Sequence, residues 1–198
     1  MHVEATTTPS LPARERLLEA ATRLFYQHGI HSVGIDRIIA EADIAKMTFY
    51  NHFPSKDELI AEVIRRKDKN WRESMQRYID ERGVTEPLDI IMAFFDYMKE
   101  WFESDTFRGC QFLNTSVDLA DRDHPAFQAV LDQQKFSREF LCNLLDEAGI
   151  RNAGDLADQL IILMAGAIMN AYVLDSSKPA LSAKRAAQLL IAKQGDDH

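Results

Sequence analysis

Two cysteines, eight glycines and six prolines are few for a chain of 198 residues. Neither Cys110 nor Cys142 belongs to a Cys-x-x-Cys pair, so the pattern offers no disulfide framework and no thiolate metal site. Both are read as reduced thiols of a cytoplasmic protein. Gly-x-Ser-x-Gly, His-Glu-x-x-His, Glu-x-x-His and a phosphate-binding glycine loop are all missing. Their absence argues against an enzyme, and no cofactor or metal is expected. Asp121 and His124 form a single weak pair in a charged joint, where Asp123 more simply caps the next helix. The longest apolar run, Leu160 to Met169, is about half the ~20 residues of a membrane span. It reads as a buried helix of a soluble protein with no membrane partner. No signal peptide is visible, and the polar first ten residues read as a disordered tail.

Period-two alternation is also scarce, which points to an all-α fold. What the chain does have is helical periodicity punctuated by Gly and Pro. Helices are expected at about 12–28, 35–41, 45–51, 55–79, 87–103, 108–119, 123–149, 155–175 and 182–193, about nine in all. The expected organisation is a head over 11–55, a bridging helix over 56–80 and a body over 81–195. The formal net charge is −8, yet residues 11–70 carry ten basic and nine acidic side chains. A near-neutral head on an acidic body is compatible with phosphate binding by the head alone, because contact depends on local charge.

Three short helices with a tight joint between the second and third form a DNA-reading unit, a helix-turn-helix. The third is Ala45-Lys46-Met47-Thr48-Phe49-Tyr50-Asn51-His52-Phe53. Phe49 and Phe53, four apart, should anchor it. Lys46, Thr48, Tyr50 and Asn51 remain on the other faces, with cation, hydroxyl, phenol and amide donors for phosphates and base edges. Ser55-Lys56-Asp57-Glu58 is a capping box, and it places Lys56 where helix amides and a cation can hold a phosphate together.

The stretch from Ile35 to Leu59, with Thr48-Phe49-Tyr50-x-His52-Phe53 followed by Ser55-Lys56-x-Glu58-Leu59, resembles the DNA-binding head of the tetracycline-repressor (TetR) family. The resemblance extends from about residue 13 to 65. It implies an all-helical homodimer, a palindromic double-stranded DNA operator, and a C-terminal ligand-binding and dimerisation domain that senses a small-molecule effector. Carried over residue by residue, Thr48, Tyr50 and His52 match contact positions. Lys46 and Met47 match positions that tune sequence choice, and Lys56 matches a phosphate clamp. Asn51 and Arg37 complete the candidate DNA-binding set. Tyr50 and His52 could instead pack on the fourth helix. Asp43 stands where the family has Gly, and Ala45 stands where it often has Ser or Thr.

In the body, aromatics and methionines recur at helical spacing. They can line an adaptable cavity or simply form core. The candidate ligand-binding residues are Phe95, Met98, Phe102, Cys110, Phe112, Asn114, Phe136, Met169 and Asn170. Gly109-Cys110-Gln111-Phe112-Leu113-Asn114 is similar to a stretch near the inducer cavity in a TetR subgroup. Cys110 is either a redox-sensing thiol or a small buried hydrophobe. The helix over 155–175 is apolar nearly all round and needs two packing partners. Leu160, Leu163, Ala167, Ala186 and Leu190 are the candidate dimer interface, in an isologous four-helix arrangement. The expected function is a sequence-specific transcription regulator, a repressor released by a small, partly hydrophobic ligand. A transcriptional activator and a non-DNA-binding interaction module are the alternatives.

Overall fold

The computed structural model describes residues 11–195. The polar tail expected over the first ten residues lies outside them. Among the described residues every regular element is a helix. They are α1 (Ala13–His28), α2 (Ile35–Ala42), α3 (Lys46–His52), α4 (Lys56–Glu81), α5 (Pro87–Phe102), α6 (Gln111–Leu119), α7 (Pro125–Glu147), α8 (Ala153–Leu174) and α9 (Lys178–Gly195).

Local chemistry sets the boundaries. Ser55 caps α4, its hydroxyl accepting from the Glu58 amide at 3.1 Å. The fixed φ of Pro87 and Pro125 suits the first turns of α5 and α7. Three expectations need correction. The N-cap of α7 is His124, not Asp123; the imidazole Nδ1 accepts from the Ala126 amide at 3.1 Å. α6 starts at Gln111 rather than near 108, because Gly109 takes a positive φ of 82° that interrupts a helix. The last helix starts at Lys178 rather than near 182, with Pro179 in its first turn, where a missing N–H costs nothing.

The core of the head joins α1, α2, α3 and the first turns of α4. Leu17, Leu18, Ala21, Leu24 and Phe25 supply the α1 stripe, and Ile38, Phe49, Leu59 and Ile64 close on it. This cluster does not stop at the head. Phe112 of α6 and Ala126, Ala129 and Val130 of α7 are buried in it. A second cluster lies among α5, α7, α8 and α9, centred on Ile91, Phe95, Leu145, Leu156 and Leu160. A third joins the far end of α4, through Met75, Tyr78 and Ile79, to Ala93 and Phe94 of α5. At 26 residues, about 39 Å, α4 therefore runs from the core of the head into the body.

By length and composition alone α8 could cross a membrane, with mean hydropathy 1.5 over its most apolar window. Its inner face, through Leu156, Leu160, Ala167 and Ala171, is buried in the second cluster. Its outer face is bare: Ile162 is 70% exposed, and Met169, Tyr172 and Val173 continue the strip. On α9, Leu189 is 73% exposed, and Leu181, two turns earlier, is also exposed. The residues expected at a dimer interface do not lie on this bare face. Leu160 and Ala167 are buried in the chain's own core, and Leu163, Ala186 and Leu190 are half-buried. A helix apolar all round does not reveal which stripe its own fold consumes.

Candidate nucleic-acid interface and internal cavity

α2 ends in a left-handed turn that aims α3. Asp43 has φ 50° and ψ 59°. Its amide reaches the Ala40 carbonyl, and the Ile44 amide reaches the Ile39 carbonyl, both at 3.3 Å. This pair of bonds is a Schellman motif, which favours Gly at the left-handed position. Asp tolerates that backbone better than most residues, so the turn forms with Asp43.

α3 has no side-chain cap, because Ala45 at its N-cap has no acceptor to offer. It is held instead by Phe49, fully buried, and Phe53 just beyond its end. That anchoring leaves Lys46, Met47, Tyr50, Asn51 and His52 exposed and Thr48 half-buried. Met47 is 71% exposed. His52 is in solvent rather than packed on α4, and Tyr50 keeps one edge against Phe49. All three candidate DNA-binding cations already have partners within the chain. The Lys46 ammonium donates to Asp36 Oδ1 at 3.1 Å, and that carboxylate holds it above its ordinary pKa. Arg37 Nη2 meets His28 Nε2 at 2.9 Å. Lys56, in the first turn of α4, donates inward to the Ile30 carbonyl at 2.7 Å. Burial lowers its pKa.

Behind the head, α4, α5, α6, α7 and α8 enclose a cavity of about 330 Å³. Met98, Cys110, Phe112 and Phe136 line it, as expected. Five expected residues do not. Phe95 and Phe102 lie one layer back, in the second cluster. Asn114 faces outward, with its amide on the Arg108 carbonyl. Met169 and Asn170 lie on the outer side of α8, and Asn170 donates to the Gly166 carbonyl of its own helix. The helical period puts 161, 164, 165 and 168 of α8 on the cavity and 169–170 away from it.

The wall also holds Phe94, Trp101, Phe140 and Met164 of the body's aromatic and methionine stripes, and Trp71, Lys67 and Gln133, which sequence reasoning missed. A signal for Lys67 and Gln133 was present. Ile60, Ile64, Lys67, Trp71, Met75 and Tyr78 keep one inward stripe on α4 at 3–4 spacing, and Ala126, Val130, Gln133, Ser137 and Phe140 do the same on α7. A polar residue in such a stripe is either satisfied inside or waiting for something. Burial pushes the Cys110 thiol up, despite Phe112 and Leu113 amides that pull the other way, so it is an un-ionised thiol rather than an activated one.

The cavity is bonded to the head through α6 and its lead-in. The Tyr26 hydroxyl of α1 accepts from the Arg108 amide at 2.8 Å and donates to the Gly109 carbonyl at 3.2 Å. At the other end of α6, Asp118 Oδ2 accepts from the Ile30 amide at 3.5 Å, and its carbonyl meets the His31 ring. His124 Nε2 lies 3.3 Å from Asp57 of α4.

The model of the bacterial regulatory proteins of the tetR family matches residues 17–63, and that of the tetracyclin repressor-like C-terminal domain matches residues 87–187. An HTH-type transcriptional regulator of Bacillus subtilis, YxaF, is 25% identical over 190 residues, covering 92% of this chain and 97% of its own. The transcriptional repressor DhaR of a Mycobacterium species is 27% identical over 109 residues, covering 55% of this chain and 53% of its own. The crystal structure of a TetR-family transcriptional regulator from Streptomyces coelicolor superposes with a TM-score of 0.84 at 31% identity, covering 93% of this chain and 96% of that one. With a helix-turn-helix head and a helical C-terminal domain that both match, this chain belongs to the TetR family of DNA-binding transcriptional regulators.

Proposed function

We propose that the chain is a homodimeric repressor that binds a palindromic operator and leaves it when a small, partly hydrophobic effector fills the cavity. The observation that carries this reading is that one short helix serves both sites. α6 and its lead-in contribute Cys110, Gln111, Phe112 and Leu113 to the cavity wall, while the bonds at Tyr26, Ile30 and His31 tie the same segment to the head.

In the dimer, the bare strips of α8 and α9 meet their copies around a two-fold axis, through Ile162, Met169, Val173 and Leu189. Two heads so fixed must enter successive major grooves, about 34–36 Å apart. Lys46, Met47, Thr48, Tyr50, Asn51 and His52 of α3 face the bases and adjoining backbone. Arg37 and Lys56 face phosphates. Lys56 has three donors, so its bond to Ile30 aims the ammonium and leaves two for a phosphate. The effector acts by differential affinity. It fits the α6 pose that belongs to the wrong head spacing and draws the population there. α4 carries the change rigidly to the head.

Fluorescence anisotropy with the promoter region beside the protein's own gene tests this. Specific, salt-dependent binding by a dimer supports the reading. Binding only at the level of random DNA overturns it, and transcription that rises on binding converts it to an activator.

A further inference from the structure

The cavity wall is apolar where it meets the second cluster and carries its one charged group, among the described residues, where it meets the head. Its apolar end is built from Met98, Phe140, Leu141 and Met164, all in or packed against the second cluster. Its polar end adjoins the head. Lys67 lies one helical turn beyond Ile64 on α4, and Gln133 lies one turn beyond Val130 on α7. Ile64 and Val130 are both buried in the core of the head, with Cys110 packed against it.

Two groups at that end lack partners. Lys67 is the one charged residue in the cavity wall among the described residues. It makes no ion pair there, and its nearest aromatic face is Tyr26, 5.6 Å away. Its neighbours supply no countercharge. Burial holds both the Tyr26 phenol and the Cys110 thiol above their ordinary pKa values, so both are neutral near pH 7. Burial correspondingly lowers the Lys67 ammonium, with no carboxylate to oppose it. Gln133 is only 7% exposed. Its amide nitrogen donates to Ser137 Oγ at 2.8 Å, while its Oε1 has no hydrogen-bond partner. A buried acceptor left open normally costs stability, and a ligand donor would recover it.

The geometry points to an effector that is an amphipathic organic anion, seated with its anionic group on Lys67, an N–H or O–H donor on Gln133 Oε1, and its apolar body toward Met98 and Met164. This inference rests on the effector-release reading above and adds the ligand's charge, its donor and its direction in the cavity. It places the charged end of the ligand beside Tyr26 and Gly109, at the bonds that join cavity to head. An uncharged molecule of the same shape would leave the half-buried Lys67 ammonium without a countercharge.

Two fluorescent probes differ in this one feature. Anilinonaphthalene sulfonate carries an anion and an aniline N–H; phenyl-naphthylamine keeps the rings and the N–H and lacks the sulfonate. Titrations on the full chain, with Ala165→Trp defining the signal that comes from the cavity, are expected to show at least tenfold tighter binding of the sulfonate. Lys67→Met should erase that preference and leave the neutral probe unchanged. Gln133→Met should weaken both probes and raise the melting temperature of the unliganded protein, because it removes the open acceptor. Equal binding of the two probes to the wild type, or a sulfonate preference that survives Lys67→Met, overturns the inference while leaving effector release intact. Cavity binding by neither probe overturns both readings.

Discussion

The Lys56 ammonium crosses from α4 to the carbonyl of Ile30, 2.7 Å away and 26 positions earlier in the chain. A residue proposed to hold DNA is thereby also a latch on the loop that follows α1. Lys56→Met should lower stability by about 1 kcal/mol, the scale of one lost hydrogen bond at a half-exposed site. It should also reduce the slope of log K against log salt by about 0.9, one phosphate's worth. Chemical denaturation and anisotropy across salt concentrations measure the two effects separately. An unchanged slope with lowered stability would mean the ammonium is a latch and not a clamp.

Asp43 sits at φ 50° in a turn that favours Gly. Its side chain is fully exposed and its nearest cation, on Arg16, is 4.0 Å away, so little is lost with it. Asp43→Gly should raise stability by up to about 1 kcal/mol, the left-handed cost reduced by the greater freedom of Gly in the unfolded chain. Asp43→Val should lower it, since a β-branched side chain suits that backbone worst. Thermal melts of the three proteins give the order.

The bare face of α8 and α9 separates two kinds of apolar substitution. Ile162→Glu or Leu189→Glu should leave a folded monomer that no longer binds the operator. Leu160→Glu, aimed into the second cluster, should unfold the chain. Sedimentation and circular dichroism distinguish these outcomes. An Ile162→Glu protein that remains dimeric would remove the α8 face from the interface.

Tyr26→Phe deletes one hydroxyl that bonds both Arg108 and Gly109. It should reduce the coupling between effector and DNA several-fold, while the affinity of the unliganded protein for DNA changes less than twofold. Operator anisotropy with and without a saturating effector reads the coupling. Equal release in the variant and the wild type would place the coupling elsewhere.

Tyr78 gives an alkaline prediction. Burial, reinforced by the bond from its hydroxyl to Glu100 at 3.1 Å, pushes the phenol up to about 12. The folded state thus favours the protonated form. That contribution is fully present below about pH 10, the ordinary phenol value, and is lost as pH rises toward 12. Tyr78→Phe should flatten the fall of stability across that window, measured by denaturation at successive pH values. An identical fall in both proteins would assign it to other groups.

The head was legible because its chemistry is local. Phe49 and Phe53 fix α3 within one turn, Ser55 caps α4 three residues before Glu58, and such spacings survive in a linear reading. The body was less legible because its assignments depend on which neighbour arrives. Met98, Cys110, Phe112 and Phe136 were placed correctly on the cavity. Met169 and Asn170 missed it by a fraction of a helical turn, since nothing in an all-apolar helix marks its inward stripe. Lys67 and Gln133 were overlooked although each interrupts an apolar stripe. Weighting those interruptions would have located the polar end of the cavity.

The burial of Phe112, Ala126, Ala129 and Val130 in the same cluster as Leu17 and Phe49 bears on how such proteins can be recombined. A graft that moved α1 to α4 alone onto another body would cut through a continuous apolar core and expose it on both sides of the joint. The smallest transferable unit is the head together with α6 and the first two turns of α7. In this chain, the DNA-binding head and the α6 wall of the cavity are therefore inherited together.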